Sequence, residues 1–398
     1  MKGLFLHLLG IVLVIAVVMA GFLGYYALTM PEYRDELGNG TYEEKIKGLY
    51  LLKASADREN NLIIYGSSEL LTLDIPTNPA NFFAGKRSGF QVNLVGRGSC
   101  QSIIHALSIA SSGDSLNGKK VVLITSPQSY VKDGIASDLF MANYSELQYL
   151  ELMLDPSIGP DIKRQFSERV AEMIGRYENE RGELKGFDAS RRLSRYGARE
   201  DGFSRVMLAV MSPYFEIVRY LARLSDMKNS KALLKTAEVS PEKSSGAIDW
   251  EAEEKTVIEV ARGAAKNNDY GILDGYYNTY IGSRLARQKD KDRNLSYSES
   301  VEYDDLRLLL EVCKLKGIEV MFLHVPLHGE WSDYVGFTGE RREDYYQNVL
   351  KIVSEYPVKL VDLTNNEYEE YFLCDIMHLG WKGWLAADEK IDEFYHQN

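Results

Sequence analysis

The chain has 398 residues, 45% of them hydrophobic, which is enough to bury a substantial core and excludes a disordered polymer. Its formal net charge of −12 excludes a surface built to track nucleic-acid phosphates, which needs clustered Lys and Arg, and disfavours docking onto anionic lipid by charge alone. Three cysteines, Cys100, Cys313 and Cys374, cannot all pair with one another, and their spacing fits neither a disulfide framework nor a CxxC metal site, so buried thiols are expected.

The chain opens on membrane-like material. Gly3 to Pro31 carries no Asp, Glu, Lys or Arg and is dominated by Leu, Val, Ile, Ala and Phe. A bilayer core takes about 20 apolar residues in a helix, and Tyr25 and Tyr26 suit an interfacial anchor, so residues 1–30 are predicted to be an uncleaved transmembrane anchor. A cleaved signal peptide is the alternative. Its apolar region runs about 7 to 15 residues and closes on a small-x-small site, whereas this run is longer and ends in Tyr, Leu and Met. Lys2 before the span, against Glu32, Asp35 and Glu36 after it, predicts that the large domain lies outside the cytoplasm. Residues 31–61 read as a polar, partly helical stalk.

From Leu62 onward the pattern alternates strand, loop and helix. "LIIYG" (62–66), "FQVNLVGRGSC" (90–100) and "KKVVLITSPQSY" (119–130) are apolar runs bounded by turn residues, and "QSIIHALSIASSG" between the last two is helical. Between Asp138 and Lys291 the character changes to long charged amphipathic helices, broken at "SPEKSSG". The α/β pattern then resumes with the helix "VEYDDLRLLLEVCKLKG", the strand "IEVMFLHVP", a helix around "DYYQNVLKIVSEY", the strand "VKLVDLT" and the closing "CDIMHLGWKGWLAADEKIDEFY". Strands that are apolar throughout belong to a parallel sheet covered on both faces. The predicted organisation is one α/β domain over 62–398 interrupted by a helical insertion at about 138–291.

In open α/β sheets reactive groups collect beyond the carboxyl ends of the strands. Four loops stand out there: Gly66-Ser67-Ser68-Glu69, Gly96-Arg97-Gly98-Ser99, Ser126-Pro127-Gln128 and Asp375-Ile376-Met377-His378. A serine hydroxyl needs a base to take its proton, and a histidine oriented by a carboxylate is the usual one; Asp375 and His378, three apart, supply both. Gly98, the Ser68 amide and the Gln128 side chain are candidate donors to an oxyanion. Each piece has a plainer reading: a serine behind a strand is commonly a helix N-cap, D-x-x-H occurs by chance, Gly96 and Gly98 permit a tight turn, and Gln128 closes a loop. The case rests on their co-occurrence. His105, on the apolar face of its helix, reads as a packed, hydrogen-bonded core residue, and His7 lies in the anchor. His324 and His328 flank Pro326 with no Asp, Glu or Cys at metal-ligand spacing, so no metal is expected, and no phosphate-binding glycine loop is present. No cofactor is expected.

In their order, "YGSSEL", "GRGSCQS", "VVLITSPQSY", "HVPLHGEWSDYVGF" and "CDIMHLGWKGW", together with the apolar start, resemble the SGNH-like hydrolase fold and, within it, the DltD family of D-alanyl-lipoteichoic acid biosynthesis proteins of Gram-positive bacteria. The likeness covers nearly the whole chain. It implies that Ser68 is the nucleophile and that Asp375 and His378 complete a triad. Ser67 stands where the broader superfamily usually has Asp, and Gln128 stands in for an Asn that has no counterpart here. Ser129 and His328-Gly329 depart from the family pattern of an aromatic and an Asn-Gly pair, so pocket details do not carry over.

The resemblance further implies D-alanyl transfer to lipoteichoic acid at the outer membrane face, beside the MBOAT-type membrane acyltransferase DltB, with D-alanine delivered by the carrier protein DltC. Two other functions fit the same residues: an anchored SGNH esterase or thioesterase acting on an acylated wall polymer or carrier, and a non-catalytic scaffold in which "GSSEL" is only a helix cap.

Overall fold

The computed structural model describes residues 17–85, 88–125, 127–237 and 246–397. Its centre is a sheet of five parallel strands: β1 (Asn61–Tyr65), β2 (Gln91–Val95), β3 (Lys120–Ile124), β4 (Glu319–His324) and β5 (Val358–Asp362), in the order β2-β1-β3-β4-β5. All four pairings are parallel and regular, with Ile64 opposite both Leu94 and Val122, and Leu123 opposite Phe322. Successive strand side chains point to opposite faces, and both faces here are covered. Ile63, Tyr65, Val121, Leu123, Val320 and Phe322 enter one core, while Leu62, Ile64, Val122, Ile124, Met321 and Leu323 enter another. This accounts for the unbroken apolar runs of the sequence. Only the edge strand β5 is partly exposed along its length.

The helices used below are α1 (Tyr50–Ala56), α2 (Pro79–Gly85), α3 (Ser102–Ala110), α4 (Glu146–Leu154), α5 (Pro160–Arg181), α6 (Asp188–Gly197), α7 (Gly202–Thr236), α8 (Trp250–Ala264), α9 (Glu302–Leu315), α10 (Gly339–Val353) and α11 (Trp381–His396). On the first face α3, α9 and α10 pack through Ile103, Leu107, Leu306, Leu309 and Val349. Phe83 of α2, Ala261 of α8 and Trp384 and Ile391 of α11 fill the second. The stretch read as an insertion is helical, with α4 to α8 as its main elements.

Residues 31–61 are not a stalk. Leu37, Ile46, Leu49, Leu51 and Leu52 are buried, and a Cβ on Gly38 would meet the Val92 carbonyl oxygen of β2 at 2.3 Å, so this segment packs directly on the sheet edge. Lys45 is wholly buried and gives its ammonium to the carbonyls of Leu37 (2.7 Å), Gly38 (3.0 Å) and Gly40 (2.6 Å). Its charge and that of its neighbours made the segment look solvated in sequence, whereas three backbone acceptors satisfy the buried cation instead. The anchor expected over 1–30 lies largely outside the described residues; of its remainder, 17–29 are helical. Among the described residues no helix is long and apolar enough to cross a membrane.

Candidate active site

The strand order reverses between β1 and β3, and the loops leaving the carboxyl ends of these two strands open the crevice where doubly wound sheets take ligands. After β1 the chain turns into a short 3-10 helix, Ser68–Leu71. The turn is held by Glu69, whose buried carboxylate accepts the Ser67 N–H at 2.6 Å. Glutamate therefore supplies the capping acceptor, and neither serine side chain caps the helix. Ser67 is buried beneath the loop with its hydroxyl on the Arg97 carbonyl at 3.4 Å. The Ser68 hydroxyl, at the surface of the crevice, lies 2.8 Å from His378 Nε2.

The loop after β2 approaches β1 closely. The Gly66 N–H donates to the Val95 carbonyl at 3.2 Å, and Gly96 has φ +146 with an ideal Cβ only 1.8 Å from the Gly66 oxygen. A side chain does not fit at Gly96, so the glycine is needed to bring the two loops together. Gly98 follows, its carbonyl taken by the Asn143 amide at 3.1 Å and the space beside its Cα open. Arg97 fixes the same loop from outside, donating to Asn143 Oδ1 and the Ala142 carbonyl, each at 2.7 Å. From the loop after β3, Gln128 Nε2 reaches to 3.5 Å from Ser68 Oγ, a long contact that a small shift would convert to a full hydrogen bond.

His378 sits far along the chain in a tight loop closed by an antiparallel bridge between Leu373 and Leu379 and by Cys374 N–H to the His378 carbonyl at 3.0 Å. Two other elements grip this loop: Leu273 N–H donates to the Cys374 carbonyl at 2.9 Å, and His328 N–H to the Ile376 carbonyl at 3.1 Å. Within it Asp375 Oδ1 accepts the N–H groups of Met377 and His378, both at 2.9 Å, and Oδ2 lies 2.7 Å from His378 Nδ1. Asp375 thus holds the ring with Nδ1 protonated, which leaves Nε2 as the acceptor for the Ser68 hydroxyl.

The electrostatics follow from this geometry. Burial by itself would push the His378 pKa down, but the hydrogen bond and charge of Asp375 and the charge of Glu69 carry it above the usual histidine value. Burial would raise Asp375, and the imidazole and two backbone N–H groups hold it below the usual carboxylate range. Glu69 moves the other way, raised by its burial against the opposing pull of the Ser67 N–H and His378.

Of the residues expected from sequence, Ser68, Asp375, His378 and Gln128 come together. Ser67 lies underneath, and Gly98 lies on the adjoining loop. Sequence reasoning did not find three residues that hold the site loops, Glu69, Arg97 and Asn143, nor Tyr276 near Asp375. Glu69 stood in a quoted loop with no role of its own; Arg97 and Asn143 join loops 46 positions apart with no local signal; and Tyr276 comes from the inserted stretch, its phenol pKa raised by burial and then by the Asp375 charge. His105 is packed edge-on to Tyr65 as a core residue, but its Nε2 has no hydrogen-bond partner, and burial lowers its pKa to about 3. Cys100, Cys313 and Cys374 are buried free thiols.

Sheet and site together define a doubly wound α/β protein with a serine, histidine and aspartate hydrogen-bonded in series at the switch point. A sequence profile of the DltD protein family matches residues 39–396. Protein DltD of Bacillus subtilis (strain 168) is 33% identical over 350 residues, spanning 88% of this chain and 86% of that protein. Protein DltD of Staphylococcus aureus (strain NCTC 8325 / PS 47) is 27% identical over 351 residues (88% and 84%), and that of Lacticaseibacillus rhamnosus 27% over 354 residues (86% and 79%). The chain belongs to the DltD family, a family involved in D-alanylation of teichoic acids.

Proposed function

We propose that this protein transfers D-alanyl groups to lipoteichoic acid at the outer face of the membrane, with Ser68 as the transient acyl acceptor. The observation that carries the reading is the continuous hydrogen-bonded series Ser68 Oγ, His378 Nε2, His378 Nδ1, Asp375 Oδ2, with links of 2.8 and 2.7 Å. In the first half-reaction Ser68 Oγ bonds to the acyl carbonyl carbon while its proton passes to His378 Nε2. The tetrahedral intermediate collapses, the donor's leaving oxygen or sulfur takes that proton, and a D-alanyl ester remains on Ser68. In the second, a polymer hydroxyl gives its proton to Nε2 and attacks the ester carbonyl. Collapse then returns the proton to Ser68 Oγ. Asp375 holds the imidazole and stabilises the imidazolium formed midway. Gln128 Nε2 and the Gly98 N–H are the proposed oxyanion donors, with Ser67 supporting the loop from below.

The fold in this reading is SGNH-hydrolase-like, the N-terminal apolar segment is a single-pass anchor, and the partners are the MBOAT-type acyltransferase DltB and the carrier protein DltC. No cofactor is required, because the steps move only a proton and an acyl group. The test is intact-mass measurement of the protein isolated with its pathway. A D-alanyl adduct on Ser68, lost in Ser68→Ala together with cellular D-alanylation, is the expected result. Undiminished D-alanylation by Ser68→Ala would rule out the covalent route.

A further inference from the structure

The longest helix among the described residues, α7, carries an exposed apolar face, touched at its start by the Tyr196 ring of α6, which lies edge-on to Phe203. Phe203, Val206, Val210, Tyr214, Ile217 and Leu221 recur at intervals of three and four along it, and all are exposed, Val210 to 70%. This spacing is that of a single helical stripe. From Phe203 to Leu221 it runs about 27 Å at the rise of an α-helix. The opposite face is occupied: Ser204 and Phe215 are buried, and Arg219 and Arg223 pair with Glu151 of α4. Monomeric soluble proteins seldom leave a contiguous apolar surface of this kind uncovered.

What lies beside the stripe indicates its occupant. The Tyr220 hydroxyl donates to the Met19 carbonyl at 2.6 Å, Lys231 donates to the Thr29 hydroxyl, and the Lys231 ammonium sits 4.6 Å from the centre of the Tyr25 ring. Met19 by Tyr220 and Thr29 by Lys231 mean that the N-terminal segment and α7 run side by side in the same direction. Followed back from Met19, the chain contains no charged residue as far as Gly3. The described part of that segment also exposes apolar side chains, Val17 and Phe22 among them.

We infer that the Phe203–Leu221 face of α7 rests on bilayer hydrocarbon, making α7 a second membrane contact next to the N-terminal segment. Since no described helix is long and apolar enough to span, the contact is made by the apolar side of α7 alone, with its polar side on the protein. The lipid required is defined by its acyl chains. Arg219 pairs with Glu216 and at 3.8 Å with Glu151, Arg223 pairs with Glu151, and the chain as a whole carries −12, so attraction to anionic headgroups plays little part.

The inference rests on the membrane attachment in the proposed function, and the test separates the two. Single cysteines replacing Val210, Ile217, Phe22 and, as an exposed control on α8, Glu259 are labelled with an environment-sensitive fluorophore in the full chain. The native thiols are buried. The labelled proteins are reconstituted in phosphatidylcholine nanodiscs with and without spin-labelled acyl chains. Blue-shifted emission quenched at least two-fold at positions 210, 217 and 22, with none at 259, is expected. Quenching at 22 alone overturns the α7 contact and leaves the attachment standing. Quenching at none of them overturns both. A blue shift at 210 and 217 without lipid quenching shows that protein covers the stripe, a second copy or a membrane partner, and also overturns the inference.

Discussion

At the scale of single residues, the role proposed for Ser68 turns on which of two adjacent hydroxyls faces His378. Ser67 and Ser68 look alike in "GSSEL", and only the family resemblance, which matches Ser68 to the nucleophile of the motif, favours the second. The geometry supplies the physical distinction: Ser67 points down to a carbonyl, and Ser68 points to an imidazole. Glu69 could have been found in sequence only by asking what an acid does when its turn is buried. His378 must be neutral to accept the Ser68 proton, and its pKa is raised, so acyl transfer should fail as pH falls through a limb lying above the ordinary histidine value of about 6.5. Asp375→Asn removes the two largest influences that raise it and leaves burial, which lowers it, opposed only by the charge of Glu69. The limb should move to lower pH while the rate falls by about 10^4, as expected when the ring loses its orienting carboxylate. A pH–rate profile of both proteins with an activated ester checks the shift and the drop together; a limb that stays in place in Asp375→Asn would detach it from His378.

At the scale of elements, the strands and the order of the loops were legible because a parallel sheet writes itself as short apolar runs ending in turn residues. The packing of residues 31–61 was not, because a polar composition conceals a lysine whose partners are carbonyls contributed by its own loop. The close approach of the β1 and β2 loops was half visible: Gly96 and Gly98 read as turn formers, but only the fold shows that Gly96 is the one under constraint. Gly96→Ala should destabilise by about 3 kcal/mol, the upper end for a backbone in a region closed to side chains, even before the Gly66 oxygen is displaced. Chemical denaturation would read this directly. Gly98→Ala, which meets open space at a φ that is not left-handed, should lie within about 0.5 kcal/mol of the parent.

Across the whole molecule, stability carries a pH dependence of its own, away from the site. Glu302 of α9 is fully buried with Oε1 on the N–H of Ser102 at the start of α3, and Arg169 of α5 pairs with the neighbouring Asp305 at 3.0 Å. Burial and then the Asp305 charge raise the Glu302 pKa above the ordinary carboxylate range, against the partial offset of Arg169. With the folded pKa above the unfolded one, the favourable contribution is complete below about pH 4 and is lost as pH rises toward the folded value. Glu302→Gln keeps an oxygen for Ser102 and does not ionise, so its melting temperature should decline less than the parent's between about pH 5 and pH 8. Parallel pH slopes for the two proteins would show that Glu302 is not the group responsible. The helical stretch that supplies Tyr276 and Leu273 to the site was recognised in sequence as a change of character. Its contact with the histidine loop was not, because pairing across a hundred positions leaves no periodic trace.

The separation of Ser68 and His378 by 310 positions has a consequence for timing. A chain emerging from the ribosome displays Ser68 early and gains His378 only when its closing segment arrives. The loop that bears the base is then fastened by Leu273 and His328, both made earlier, so those clasps wait ready for it. Until that final segment docks, the serine is an ordinary alcohol. On the proposed function, a copy truncated before Asp375 should therefore accept no acyl group.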